Sequence, residues 1–87
     1  MPQQTGSLSV SQARALRALS NGGMLTNEQI RHAASLDRFE VRRVVANLSS
    51  RGLILIRGYD KRCGITASGR DALAVWPRAY GRLGADA

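Results

Sequence analysis

Arg38, Arg42 and Arg43, with Phe39 among them and Asn47 one turn further on, form the densest run of side chains able to recognise another molecule. A guanidinium fork fits the O6 and N7 edge of guanine, a carboxamide fits N6 and N7 of adenine, and a phenyl ring can lie against a thymine methyl. Arg38 suits a phosphate better, and the three arginines could equally be a solvated basic face. Phe39 leaves three options open: the thymine methyl, a hot-spot contact with a protein partner, or packing under the preceding helix.

Two further groups carry related chemistry. Arg57, Lys61 and Arg62 surround Gly58, Tyr59 and Asp60, the composition of a positive turn that can follow phosphates or a minor groove. Tyr59 can hydrogen-bond a phosphate or, as the expected role, pack on a neighbouring helix, and Asp60 is placed to orient Arg62 by an ion pair. Thr26, Asn27 and Arg31 stand where a helix is predicted to begin, so backbone N–H groups add to their side chains as phosphate contacts. Arg14 and Arg17 read as solvated.

Bond-making chemistry finds little here. One histidine, His32, one cysteine, Cys63, and no close pair of carboxylates outside surface positions supply neither an acid–base couple nor a nucleophile with its base, so no enzyme is expected. The same residues make no metal cluster, and no cofactor is implied. Cys63, between Arg62 and Gly64, is either a thiolate switch or, as expected, a small strand residue facing the third helix. His32 reads as an exposed helix residue.

The composition points to the same partner. Thirteen Lys+Arg against six Asp+Glu give a net charge of +7 and a pI near 11.3, and every basic residue except Lys61 is arginine. Such an excess favours a polyanion over a small acidic substrate. With 87 residues the chain holds one small domain, which on folding buries roughly 60% of its unfolded surface and has little room for a catalytic cleft. The longest apolar run, Ala72 to Trp76, is far short of the ~20 residues of a membrane helix. A cytoplasmic, nucleoid-associated protein of a prokaryote or phage is expected.

Four helices and a hairpin must position these residues. Residues 1–8 read as a flexible lead-in. Ser9 with Gln12 forms a capping box before a helix over about 10–20 that stops at Asn21-Gly22-Gly23; Thr26 with Gln29, and Asp37 with Glu40, repeat the box. The second and third helices are separated by about three residues, the helix-turn-helix spacing. Val41, Val45 and Leu48 form the inner stripe of the third helix, 38–51, whose opposite face holds Phe39, Arg43 and Ala46. Leu53 to Ile56 and Cys63 to Ile65 read as a hairpin, and Thr66 caps a fourth helix that Pro77 is expected to end. Leu73, Trp76, Tyr80 and Leu83 are a possible homodimer contact, with residues 77–87 as a tail.

This order resembles the winged helix-turn-helix superfamily, and most closely the MarR-type transcriptional regulators. Leu25-Thr26-Asn27-Glu28-Gln29-Ile30 is similar to the opening of their second helix, and Val41 to Val45, Leu48 and Arg51-Gly52-Leu53-Ile54 to their recognition helix and its exit. Asp60-Lys61-Arg62, then Ile65-Thr66-Ala67-Ser68-Gly69-Arg70, resembles their wing. The resemblance covers about residues 10–75 and implies a mainly α fold with a small β-hairpin: a three-helix core, a wing and a C-terminal helix, over residues 9–76. It implies sequence-specific binding of double-stranded DNA by a small regulator, a repressor and homodimer, with helix 38–51 in the major groove and wing 57–63 on the minor groove. The long dimerising helices of that family, which enclose its ligand pocket, have no room here. Two alternatives remain open: a protein-interaction module, such as a phage product docking on a host complex through the Phe39 face, and an excisionase-like architectural factor.

Overall fold

The computed structural model describes residues 8–80, with side chains through residue 76. The elements are α1 (Val10–Gly22), α2 (Asn27–Ala34), α3 (Arg38–Ser50), β1 (Ile54–Arg57), β2 (Arg62–Ile65) and α4 (Ala67–Tyr80). This is the expected winged helix-turn-helix order, mainly α with one hairpin.

One local signal starts the first three helices. Ser9, Thr26 and Asp37 accept the backbone N–H of Gln12, Gln29 and Glu40 at 3.1, 3.2 and 2.7 Å, and each of those side chains reaches back to the cap's own N–H. A leucine precedes every cap: Leu8, Leu25 and Leu36. The fourth helical residue after each cap is Ala13, Ile30 or Val41, and all six belong to or pack against one core cluster. That is the spacing of a hydrophobic staple, which fixes the angle at which a chain enters a helix. It also corrects the expected lead-in, because Leu8 is buried.

α2 and α3 are separated by Ser35, Leu36 and Asp37 alone. Ser35 takes the left-handed conformation at φ 57°, and Leu36 N–H bonds back to Arg31 O at 2.9 Å, closing the turn. The core lies between the helices, with Leu16, Leu19, Ile30, Leu48 and Cys63 fully buried; Val44 joins the stripe of Val41, Val45 and Leu48. Val44 lies three residues from Val41 and four from Leu48, so it widens the apolar face toward α1.

The hairpin pairs Ile54 with Ile65, Leu55 with Gly64, Ile56 with Cys63 and Arg57 with Arg62, antiparallel. Leu25 adds a bridge on the far side of β2, exchanging hydrogen bonds with Cys63 at 2.9 and 2.7 Å. Thr66 then joins three elements: its N–H reaches Leu53 O at 3.1 Å, its hydroxyl donates to Gly52 O at 2.8 Å, and the same oxygen accepts Gly69 N–H at 3.0 Å. Gly69 lies so close to the Leu53 carbonyl that a Cβ there would collide with it.

α4 continues through Pro77 to Tyr80 and is not ended by the proline. Proline removes one N–H and crowds the carbonyl four residues back, which bends a helix without stopping it when the turns on either side persist. α1 likewise runs two residues beyond its expected end at 20. Among the described residues no helix is long and apolar enough to cross a membrane.

Candidate nucleic-acid interface

α3 presents the principal surface. Its inner stripe is fixed by the core, so the opposite face carries Arg38, Phe39, Arg42, Arg43 and Ala46, all exposed. Phe39 is 76% exposed, which removes the option that it packs under α2. It lines a cleft of about 350 Å³ with Asn27, Glu28, Arg31, Arg38 and Arg42. The ion pairs among the described residues are Glu28 with Arg31, Glu28 with His32, and Asp60 with Arg62. Arg42 and Arg43 stand outside these pairs, and Arg38 is near enough to Glu28 for its charge to be felt there without forming one.

Asn47 sits differently from these neighbours. Its Oδ1 accepts from Gln12 Nε2 on α1 at 2.8 Å. Arg43 lies beside it, lining a cleft of about 280 Å³ with Ser9, Ser11, Gln12, Glu40 and Val44.

In the wing, the turn from Gly58 to Lys61 uses left-handed backbone at both ends, with φ of 82° and 50°, and closes through Lys61 N–H to Gly58 O at 3.2 Å. Arg57 and Lys61 are exposed and outside the ion pairs. Arg62 Nε donates to Asp60 Oδ2 at 2.8 Å, the expected orienting pair. That hydrogen bond, together with one from Asp60's own backbone, holds the carboxyl below the usual aspartate range. Tyr59 does not pack on a helix as expected; it is fully exposed, because it stands in the turn beyond the last ladder pair, Arg57 with Arg62.

At the start of α2, Thr26 is occupied as the cap, and Asn27 Oδ1 lies 3.9 Å from the Cys63 thiol. Arg31 is bonded to Glu28 through Nη2 at 3.0 Å and Nε at 3.4 Å, so it carries its own counter-charge. The Arg31 hydrogen bond lowers the Glu28 carboxyl; desolvation opposes it, and the charges of Arg31, His32 and Arg38 add to the lowering. His32 is exposed.

Cys63 is fully buried, and desolvation pushes its thiol up. A thiolate switch needs the opposite shift, so Cys63 is a small buried strand residue, with its thiol beside Asn27 of α2 and not against α3 as expected. Leu73 and Trp76 also turn inward, packing against the core, and Trp76 Nε1 donates to Leu8 O at 3.1 Å. Both are half-buried within the protomer, which leaves part of each side chain for the expected dimer contact; the Tyr80 side chain and Leu83 lie outside the described residues. Gln12 and Gly69 were not marked by the sequence as functional. The repeated cap spacing identifies Gln12 as a cap, but its partner stands 35 residues away.

No protein-family model matches the chain, and no curated protein matches it. Solved structures do. A regulator of Bordetella bronchiseptica, BpsR, whose DNA binding is regulated by 6-hydroxynicotinic acid, superposes with a TM-score of 0.79 at 25% identity over 91% of this chain and 60% of its own. A MarR family regulator of Silicibacter pomeroyi gives 0.72 at 26% identity over 90% and 53%. The Mycobacterium tuberculosis regulator MosR, solved in complex with DNA, gives 0.77 at 24% identity over 93% and 65%. The chain spans roughly half to two thirds of the length of these relatives. The fold they share with it is the winged helix-turn-helix of the MarR-type transcriptional regulators.

Proposed function

We propose that this chain binds double-stranded DNA in a sequence-specific way and regulates transcription as a repressor, with α3 in the major groove and residues 57–63 on the minor groove or its phosphates. The observation that carries this is a set of exposed cations, Arg38, Arg42, Arg43, Arg57 and Lys61, that lack an ion-pair partner among the described residues and sit on the two elements such a fold offers to a duplex. Buried apolar groups hold α3 in place while leaving those guanidiniums free, which is what forked contacts to guanine require. In this reading Arg42 and Arg43 take base edges and Phe39 a thymine methyl. Arg38, Arg57, Lys61, Arg62, Tyr59 and the start of α2 at Thr26, Asn27 and Arg31 take phosphates and sugars. A homodimer places two copies of α3 about one helical turn apart. MosR, captured on DNA, supports the polyanion as partner.

Titration of labelled duplexes at increasing salt tests the proposal. The logarithm of the association constant should fall by ~0.9 per phosphate contact for each tenfold rise in salt. Binding that is flat between low and moderate salt sinks it. One observation favours a second reading: an exposed Phe39 is the kind of anchor a protein partner uses. If a protein of charge +7 fails to retain random duplex even at low salt, the protein-docking reading takes its place.

A further inference from the structure

Gln12 serves two structures at once. Its Oε1 accepts Ser9 N–H at 2.9 Å, completing the cap of α1, while its Nε2 donates to Asn47 Oδ1 on α3 at 2.8 Å. The chemistry fixes this orientation. A backbone N–H can only donate, so Gln12 turns its oxygen to Ser9, offers nitrogen to Asn47, and Asn47 answers with oxygen. Two turns earlier on α3, Ser11 Oγ lies 3.4 Å from Glu40 Oε2. Glu40 and Gln12 are the third helical residues of the α3 and α1 capping boxes. The first turn of α1 is thus fastened to α3 at two points, and Arg43 lies between them in the same cleft.

Reading adenine takes the oxygen and the nitrogen of a carboxamide together on one edge. The Asn47 oxygen keeps a second lone pair, but its bond to Gln12 ties the plane of the carboxamide to α1. We propose that Asn47 is a positioning residue and not a base reader, and that with Gln12 it sets the rotation of α3 from which Arg43 reaches a base. The core alone does this poorly. Apolar burial is non-directional, so the stripe of Val41, Val44, Val45 and Leu48 decides which face turns inward but tolerates a small roll. A hydrogen bond at 2.8 Å is directional and does not. Arg43 stands at the end of a long side chain, where such a roll is magnified. This inference rests on the DNA-binding reading above.

Selection of bound duplexes from a random library, using the full chain and three variants, tests it. Gln12→Leu removes the donor to Asn47 and offers no acceptor to which that carboxamide could turn over, at the cost of the cap's own oxygen. Asn47→Ala removes the acceptor without touching the cap. Asn47→Asp keeps the acceptor and removes the Nδ2 donor that adenine N7 requires. Asn47→Asp should select the same bases as the unaltered chain, at weaker overall affinity because of its added negative charge. Gln12→Leu and Asn47→Ala should blur the same positions, those that Arg43→Ala also blurs. The ratio of affinities for selected and random duplex should then drop about tenfold, with the salt slope unchanged because the phosphate contacts are unchanged. If Asn47→Asp loses an adenine while Gln12→Leu keeps the full preference, Asn47 reads a base and the proposal is overturned. Retention of the full preference by all three variants overturns it as well. The absence of any preference in the unaltered chain defeats the sequence-specific reading itself, an outcome separate from a clear preference that Asn47→Asp rewrites.

Discussion

The third helix and the wing offer positive charge in opposite ways. On α3, Arg38, Arg42 and Arg43 stand outside the ion pairs on an element whose other face is held by Val41, Val44, Val45 and Leu48. In the wing, two four-residue strands carry a turn in which Arg62 is already bound to Asp60 at 2.8 Å, and β1 is exposed at three of its four positions. Rigid backing with free guanidiniums suits base edges, whose donors and acceptors are fixed in space. A thin hairpin with part of its charge neutralised suits phosphates, which repeat along the duplex and tolerate error. The hairpin that carries the wing is closed at its base, where Gly52, Leu53, Thr66 and Gly69 lock the exit of α3 to the start of α4.

Breaking that junction should have the largest effect. In Gly69→Ala the new Cβ meets the Leu53 carbonyl oxygen, part of the backbone, and approaches Ile65 Cγ1 within 2.8 Å, so α4 must move as a unit. Overpacking against backbone costs on the order of 3 kcal/mol, which in a domain of this size is a fall in Tm of roughly 12 °C or more. Gly64→Ala is the control within the wing. Its Cβ meets the Met24 thioether, the end of a flexible, half-exposed side chain that can swing away, so a loss below about 1 kcal/mol is expected. Thermal melts of the two variants decide this; equal losses would mean that α4 lifts off Leu53 easily and that the junction holds neither element.

The contrast between these glycines also shows where the sequence speaks and where it is silent. The cap residues Ser9, Thr26 and Asp37 announce the first three helices because a capping box is completed within three residues. The exposed Arg38, Arg42 and Arg43 follow from the 3.6-residue period once the valine stripe is seen. Gly69 is different: its need for no side chain arises from a carbonyl 16 positions earlier, and only the superposed fold brings the two together. The hydrogen bond of Trp76 is hidden for the same reason, since its partner is the Leu8 carbonyl at the opposite end of the chain. Tyr59 misled because a hairpin turn can project past every helix, and strand period alone does not say how far.

The comparison sharpens at the level of single arginines. Arg43→Ala should lose about 1–3 kcal/mol of discrimination at particular base positions, because a forked contact is specific to one edge. Arg62→Ala should weaken selected and random duplexes together and lower the salt slope by about 1, as a phosphate contact does. Competition of selected against random duplex for each variant separates the two. Equal and sequence-blind losses would erase the division between reading helix and positioning wing.

The smallest effect is expected at Asp60, and its sign can be worked out. The Arg62 hydrogen bond lowers the carboxyl below the usual aspartate range, so the folded state favours the ionised form. Such a group contributes stability above its unfolded pKa and loses it as pH falls through the folded value. The pair is therefore intact throughout the neutral range and opens only in acid, and being solvent-exposed it shifts Tm little even then. Asp60→Asn removes the pair at every pH and raises the net charge by one. On DNA, Arg62 then has no competing carboxylate, so affinity should rise equally for selected and random duplexes, with a salt slope steeper by at most about 0.9. A change in preferred bases in Asp60→Asn would mean that Arg62 reads sequence from the wing, and the wing would then have to be treated as a second recognition element with Asp60 as its orienting partner.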